Sequence, residues 1–276
     1  MFCVAEKGFE GVPESTGLHT KDIRMKAKLS RYIITAAGGN PTAIRILDHT
    51  RSSDWYAEQG TILMKDTAML GVEQAGFLIP ERRRFEMSGG EFCGNAARSA
   101  ALLLSRFSSD EMGTFQMSGY EGDVHFFVRW ERETAATVTC DFDRLPIDIR
   151  REKTANGNIQ IVDLGGIIHI VIEGALPSDY ETQHRTLTRR FGLSDRGAVG
   201  VCWAERSVGR ITLHPVVWVK AIDSFFYETS CGSGSIAASV VTCTSKITQP
   251  SGETIEVKRE GTKVSLQSRM EVIDEE

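Results

Sequence analysis

The sequence predicts a mixed α/β (α+β) protein built as two similar halves, and three observations carry that expectation. Short β-branched runs separated by glycine turns recur from residue 31 to the end of the chain. Two alanine-bearing helix signals interrupt them, each opened by a glycine-containing turn. Those two openings are alike: EFCGNAARSAA surrounds Cys93 and TSCGSGSIAAS surrounds Cys231, 138 positions further on. Coincidence between two helix caps is the bland alternative. Two similarly built domains, each presenting a cysteine into the space between them, account for more of the pattern.

The elements follow in order. RYIITAAGGNPTAIRILD reads as strand, turn, strand, with Gly38-Gly39-Asn40 as the turn. Asp54 caps a helix that ends before Gly71, and VEQAGFLIP is a strand stopped by Pro80. The run from Ala96 to Leu104 is the first strong helix. TFQMSGYEGDVHFFVRW supplies two strands around Gly119 to Gly122, and 134–140 a third. Strands resume at 159–164, 167–173 and 199–204, with a short helix at 181–191 ending at Gly192. Short extended pieces at 211–213, 218–221 and 225–227 lead to the second glycine-opened helix, 233–246. Strands at 255–258, 264–267 and 270–273 close the chain.

Composition narrows the function. The 276 residues suffice for two compact domains, and 41% hydrophobic with 25% charged residues is ordinary for a globular protein. A net charge of −5 argues against a nucleic-acid surface, leaving Arg82, Arg83 and Arg84 as solvated or paired charges. No apolar run reaches the roughly 20 residues that a bilayer crossing needs, so no membrane partner is expected. Glu6, Lys7 and Glu10 stand where a signal peptide would place its apolar stretch. The expectation is a cytoplasmic protein with an N-terminal extension over 1–29. Of the six cysteines no two have CxxC spacing, and the histidines are dispersed, so no metal is expected. Cys140, Cys202 and Cys243 read as structural, and Trp203 and Trp218 as packing residues.

Cys93 and Cys231 are different because each immediately precedes a helix. The unpaired N–H groups and the dipole of a helix N-terminus favour a thiolate. The small residues there, Gly94 with Asn95 and Gly232 with Ser233, let a substrate carboxylate approach the backbone. Two such cysteines suit proton exchange at one carbon. One removes the α-proton as thiolate, and the other returns a proton to the opposite face. The carbanion that forms between these steps is stabilised by N–H donors focused on the carboxylate. Asn95 also suits a helix cap.

MSGGEFCGNAARS and YETSCGSGSIAAS closely resemble the paired cysteine motifs of the diaminopimelate epimerase-like superfamily. The order of motifs agrees from about Ser30 to Glu276. The resemblance implies two pseudo-symmetric domains, each a curved, mostly antiparallel sheet wrapped around a central helix. The domains are expected over 30–132 plus 268–276, carrying Cys93, and over 133–267, carrying Cys231. It implies α-proton exchange by the two cysteines without pyridoxal phosphate, metal or other cofactor, and a homodimer. It also adds Asn40, from the Gly-Gly-Asn turn, and Glu73 and Gln74, from Val72-Glu73-Gln74, to the site. His169 enters as a further candidate because Gly166-Ile167-Ile168-His169 resembles the Gly-Asn-Pro-His of diaminopimelate epimerases.

Departures from that pattern concern the substrate. Ile167 and Ala198 stand where those epimerases present asparagines, and Tyr227-Glu228-Thr229-Ser230 replaces their longer Glu-Arg approach to the second cysteine. A second charged amino-acid head left without partners is costly to bury. MSGGEFCGN, VEQAGF and YETSCGSGS instead resemble the histidine racemases of opine-metallophore biosynthesis. That resemblance implies free histidine as substrate, with Glu73 or Glu228 engaging its amine or imidazole. Alternatives are a racemase or epimerase of another amino acid, diaminopimelate included, and a nonenzymatic amino-acid-binding protein on the same scaffold.

Overall fold

A computed structural model of the chain describes residues 31–154, 157–220 and 223–276. The expected N-terminal extension, 1–29, lies outside the described residues. The first half of the chain runs β1 (Arg31–Ala36), β2 (Gly39–Ile46), α1 (Ser53–Asp66), β3 (Gln74–Ile79), β4 (Arg84–Met87), α2 (Gly94–Ser108), β5 (Met112–Met117), β6 (Asp123–Arg132) and β7 (Ala135–Phe142). The second runs β8 (Asp148–Thr154), β9 (Gly157–Asp163), β10 (Ile168–Glu173), α3 (Tyr180–Arg190), β11 (Ala198–Ser207), β12 (Arg210–Val219), β13 (Ser224–Tyr227), α4 (Gly232–Thr242), β14 (Lys246–Thr248), β15 (Thr254–Glu260) and β16 (Lys263–Glu275).

The two halves repeat one wiring scheme. In the first, the parallel pairs β2–β3 and β4–β5 are joined through α1 and α2. In the second, the parallel pairs β10–β11 and β12–β14 are joined through α3 and α4. Parallel neighbours require such crossovers, and every other pairing is antiparallel. Each cysteine therefore opens the second crossover helix of its half.

The halves differ in closure. β1 pairs with both β2 and the C-terminal part of β16, while β7 pairs with β6 and β16, so the first half closes into a ring. The N-terminal part of β16 continues through β15 and β14 into the second half, whose outer edge is β8. β16 is thus one long strand serving both halves, where the sequence suggested two short ones. The expected domain division at 132/133 falls in the turn between the paired strands β6 and β7.

α2 is buried continuously from Gly94 to Ser105 and packs against β1, β2, β4 to β7 and β16. A helix apolar or small on every side is one that structure surrounds on every side. α4, made of Gly, Ser, Ala, Ile and Val in its first turns, contacts β10, β11, β12, β14 and β15 in the same way. α1 and α3 instead lie outside, with most of their residues exposed or half-exposed. One core cluster runs through both halves, from Phe92, Ala96 and Leu103 to Leu213, Ile236 and Leu266.

Several local expectations are corrected. Ser52, not Asp54, caps α1: its side chain accepts from the Trp55 N–H at 3.3 Å. β12 is continuous through Pro215 rather than two pieces, with Pro215 opposite Cys202. β4 and β8 were not expected as strands; β4 is four residues long and β8 is dominated by charge. The second helix stops at Thr242, because Cys243 adopts a left-handed φ of 55° and is exposed. No helix among the described residues is long and apolar enough to cross a membrane.

Candidate active site

Cys93 and Cys231 occupy matching positions in backbone and hydrogen bonding. Each is an extended N-cap residue, with φ/ψ of −135°/112° at Cys93 and −137°/109° at Cys231. The Cys93 sulfur accepts from the Ala96 N–H at 3.4 Å, and the Cys231 sulfur from the Gly234 N–H at 3.2 Å. Asn95, expected as a cap, is displaced from that role because the sulfur takes it. The Asn95 amide instead donates to the Ser230 carbonyl at 3.0 Å, beside the other cysteine.

The two helix starts meet. A methyl group at Gly232 would lie 3.1 Å from Asn95 Oδ1 and 3.2 Å from the Asn95 amide nitrogen. One at Gly94 would lie 3.6 Å from the Gly232 Cα and carbonyl carbon. A Cβ at Gly232 would press on Asn95, so a glycine there eases the approach of the two helix termini. Asn40, with a left-handed φ of 46°, completes the junction: its side-chain amide also donates to Ser230 O at 3.0 Å, and its N–H to Thr229 Oγ1 at 2.9 Å. Asn40, Gly94, Asn95, Gly232 and Ser233 are therefore brought together with both cysteines.

The surroundings of the two thiols differ. Cys93, partly buried, donates to Gln74 Oε1 at 3.1 Å, and the Gln74 amide is held on Thr42 Oγ1 at 2.9 Å. Burial pushes the Cys93 thiol up to about 12, against the N–H bonds that favour its thiolate. Cys231 is 3% exposed and is raised well above the usual thiol range by burial and then by the nearby Glu228 carboxylate. The Glu228 carboxyl is itself raised to about 7 by burial, with the Glu73 charge acting in the same direction.

Glu73 is itself raised by burial, and its Oε2 has no hydrogen-bond partner among the described residues. Asn40 Oδ1 is likewise a buried acceptor without a donor. The two sit on neighbouring segments, joined by the Glu73 N–H to Pro41 O contact at 3.4 Å. His169 lies beside Cys231 rather than Cys93. It is fully buried, with Nε2 2.9 Å from Ser233 Oγ, which is 3.6 Å from the Cys231 sulfur. Burial depresses its pKa to about 3, leaving a neutral ring. Gly200 makes room for it: a methyl group there would lie 2.1 Å from His169 Nδ1.

Sequence reasoning missed three residues at this junction. Gln249 Oε1 accepts from the Cys231 N–H at 2.8 Å, while its amide holds Ser235 Oγ and Ile247 O. Ser230 supplies the carbonyl on which both asparagines converge. Arg98 lies wholly buried beneath the two helix starts. Only Arg98 left a trace in the sequence, as a charge inside an otherwise small and apolar helix.

Several known proteins are similar to this chain. Two histidine racemases from strains of Fusobacterium nucleatum are 28% and 26% identical over 183 residues, 63% of this chain. The aligned stretch spans 67% and 66% of those proteins' own lengths. Among solved structures, a "predicted epimerase" from Pseudomonas aeruginosa superposes with a TM-score of 0.61 at 11% identity, over 90% of this chain and 98% of that one. A phenazine biosynthesis protein of the PhzF family from Enterococcus faecalis gives 0.55 at 14% identity, over 89% and 96%. At such identities these two establish the fold, the epimerase-like arrangement of two sheet-wrapped helices. Residues 39–273, most of the chain, match the family model of the histidine racemase CntK N-terminal domain, and the chain belongs to that family of amino-acid racemases.

Proposed function

We propose that this protein racemises free histidine by exchanging the α-proton between Cys93 and Cys231, without a cofactor. The observation that carries the mechanism is the matched pair of cysteine N-caps on two helices whose first residues touch. The substrate carboxylate binds where those termini meet, at the N–H groups of Gly94, Asn95, Gly232 and Ser233. The first N–H groups of a helix have no carbonyl one turn back to bond to, and their partial positive charge suits an anion. The same donors strengthen their hold as charge moves onto the carboxylate in the carbanion.

The substrate ammonium is assigned to Asn40 Oδ1 and Glu73. Two buried acceptors without donors, one a carboxylate raised by burial, are what a cation would satisfy. Glu228, the carboxylate whose charge bears on Cys231, is assigned as the group that takes its proton, and burial raises that carboxyl to about 7, closer to the thiol than an ordinary carboxylate. Cys93, held on the neutral Gln74 amide, remains the thiol that protonates the opposite face. The reverse direction exchanges the roles. His169, neutral, fixes Ser233 beside Cys231.

Histidine as the substrate rests on the named relatives and on two apolar replacements. Ile167 is 8% exposed and lies in the core cluster that includes Phe92, and Ala198, like Cys93, packs against that cluster. Neither side chain can orient a second charged head. The test is incubation of the purified protein with a panel of L-amino acids in deuterated water. Deuterated D-histidine is expected, with little or no conversion of diaminopimelate. Turnover of another amino acid but not histidine overturns the substrate, and binding of histidine without deuterium incorporation overturns the reaction.

A further inference from the structure

Arg98 is the largest fully buried side chain among the described residues, at 0% exposure. Its Nε donates to Gly94 O at 3.2 Å and its Nη2 to Asn95 Oδ1 at 2.5 Å. Across the junction, a methyl group at Gly232 would lie 3.2 Å from the same Nη2. Nη1 has no hydrogen-bond partner, and no carboxylate forms an ion pair with Arg98 among the described residues. A desolvated cation without a counter-ion costs several kcal/mol, and one of Leu or Met would pack a helix interior without that cost. The position nonetheless holds an arginine that reaches back along α2, towards its N-terminus, as long helix side chains do.

We propose that Arg98 is a positioning residue for the proton exchange: one buried guanidinium hydrogen-bonds Gly94 after Cys93, faces Gly232 after Cys231, and supplies the positive charge that supports a thiolate on either side. The inference rests on the two-cysteine reading above and deepens it. An exchange in which the thiolate moves from one sulfur to the other needs a counter-charge that serves both without moving. Arg98 meets this requirement from beneath, leaving the helix-start N–H groups to the substrate. Burial lowers the Arg98 pKa to about 10; the thiols facing it are Cys140 on β7, Cys93 at the start of its own helix and Cys231 at the start of α4, and negative charge on any of them favours its cationic form. Glu91 and Glu228 act on Cys93 in the opposite sense, disfavouring its thiolate. Arg98 also aligns Asn95, so charge and alignment must be separated experimentally.

The reactivity of Cys93 separates them, because this thiol is partly exposed and its alkylation requires no turnover. Wild type, Arg98→Gln and Arg98→Lys are treated with iodoacetamide between pH 7 and 10 without substrate, and the Cys93 peptide is followed by mass spectrometry. Arg98→Gln is expected to slow alkylation at least tenfold, equivalent to about one unit in the thiol pKa. Arg98→Lys, which keeps the charge and loses the fork, is expected within about threefold of wild type. Unchanged alkylation in Arg98→Gln, or equal slowing in both variants, overturns the proposal. Should Arg98→Gln not fold, Arg98→Met takes its place: tenfold slowing supports the charge role, and unchanged alkylation removes it. A tenfold loss of reactivity in a protein whose wild type does not racemise histidine would leave Arg98 in place and remove the substrate reading; the converse result would do the opposite.

Discussion

At Cys231 the thiol feels the charge of a carboxylate, Glu228, whereas at Cys93 it donates to the neutral Gln74 amide. Cys93→Ser or Cys231→Ser should each lower histidine racemisation by about 10²–10⁴-fold, the range for a positioned acid or base, with the circular-dichroism spectrum unchanged. Activity retained at wild-type level in either would remove the two-base assignment. Glu228 supplies a pH signature. Its folded pKa of about 7 lies above the ordinary 4.5, so as pH rises the unfolded chain releases this proton first and the folded state loses relative stability between those values. Glu228→Gln should therefore be as stable as wild type below pH 4.5. It should gain up to roughly 3 kcal/mol by pH 8 in urea titrations while losing activity. The activity limb near pH 7 should vanish with it. His169, held neutral down to about pH 3, has no limb to contribute there.

Among the elements, α2 and α4 were the most legible in the sequence, because a glycine opening and an alanine run act locally and need no partner. Strands were legible where β-branched residues alternate, as in β6, whose burial alternates along DVHFFV. They were not legible where the pattern is short or polar, as in β4 and β8, because neighbouring strands rather than propensity make those residues extended. Pro215 lies within β12 although proline usually ends a strand. The end of α4 was misread for a similar reason: Cys243 takes a left-handed conformation that no local signal demanded. The packing of β11 against β10 gives an element-scale prediction. Gly200→Ala would place a methyl group 2.1 Å from His169 Nδ1, so ring and strand must separate. A destabilisation of about 1–3 kcal/mol is expected in urea unfolding, with slower racemisation as Ser233 loses its partner. A stability change below about 0.5 kcal/mol would mean that His169 is not packed as described.

On the scale of the whole molecule, one carbonyl of the second half takes side-chain amides from two elements of the first. Asn40 from β2 and Asn95 from α2 both donate to Ser230 O, which immediately precedes Cys231. Asn40→Ala and Asn95→Ala should each cost about 1–2 kcal/mol of stability, the worth of a buried hydrogen bond with its desolvated partner. The double variant should cost more than the sum, because only then is the carbonyl left without a side-chain amide donor. Strict additivity in urea titrations would show that the two amides act independently. By itself the sequence determined the fold class, the pair of helix-opening cysteines and, through motif resemblance, the family, since all three reside in local patterns of a few residues. Only the tertiary structure decided how the two openings are wired together. The closing ring through β16, the convergence of two asparagines on one carbonyl, Gln249 beneath Cys231 and Arg98 beneath both cysteines depend on residues far apart in the chain. Their partners are set by packing, and no short stretch of sequence carries that information. Cys93 and Cys231 were visible as a pair; the Gln74 amide and the Glu228 carboxylate, which make them unequal, became partners only on folding.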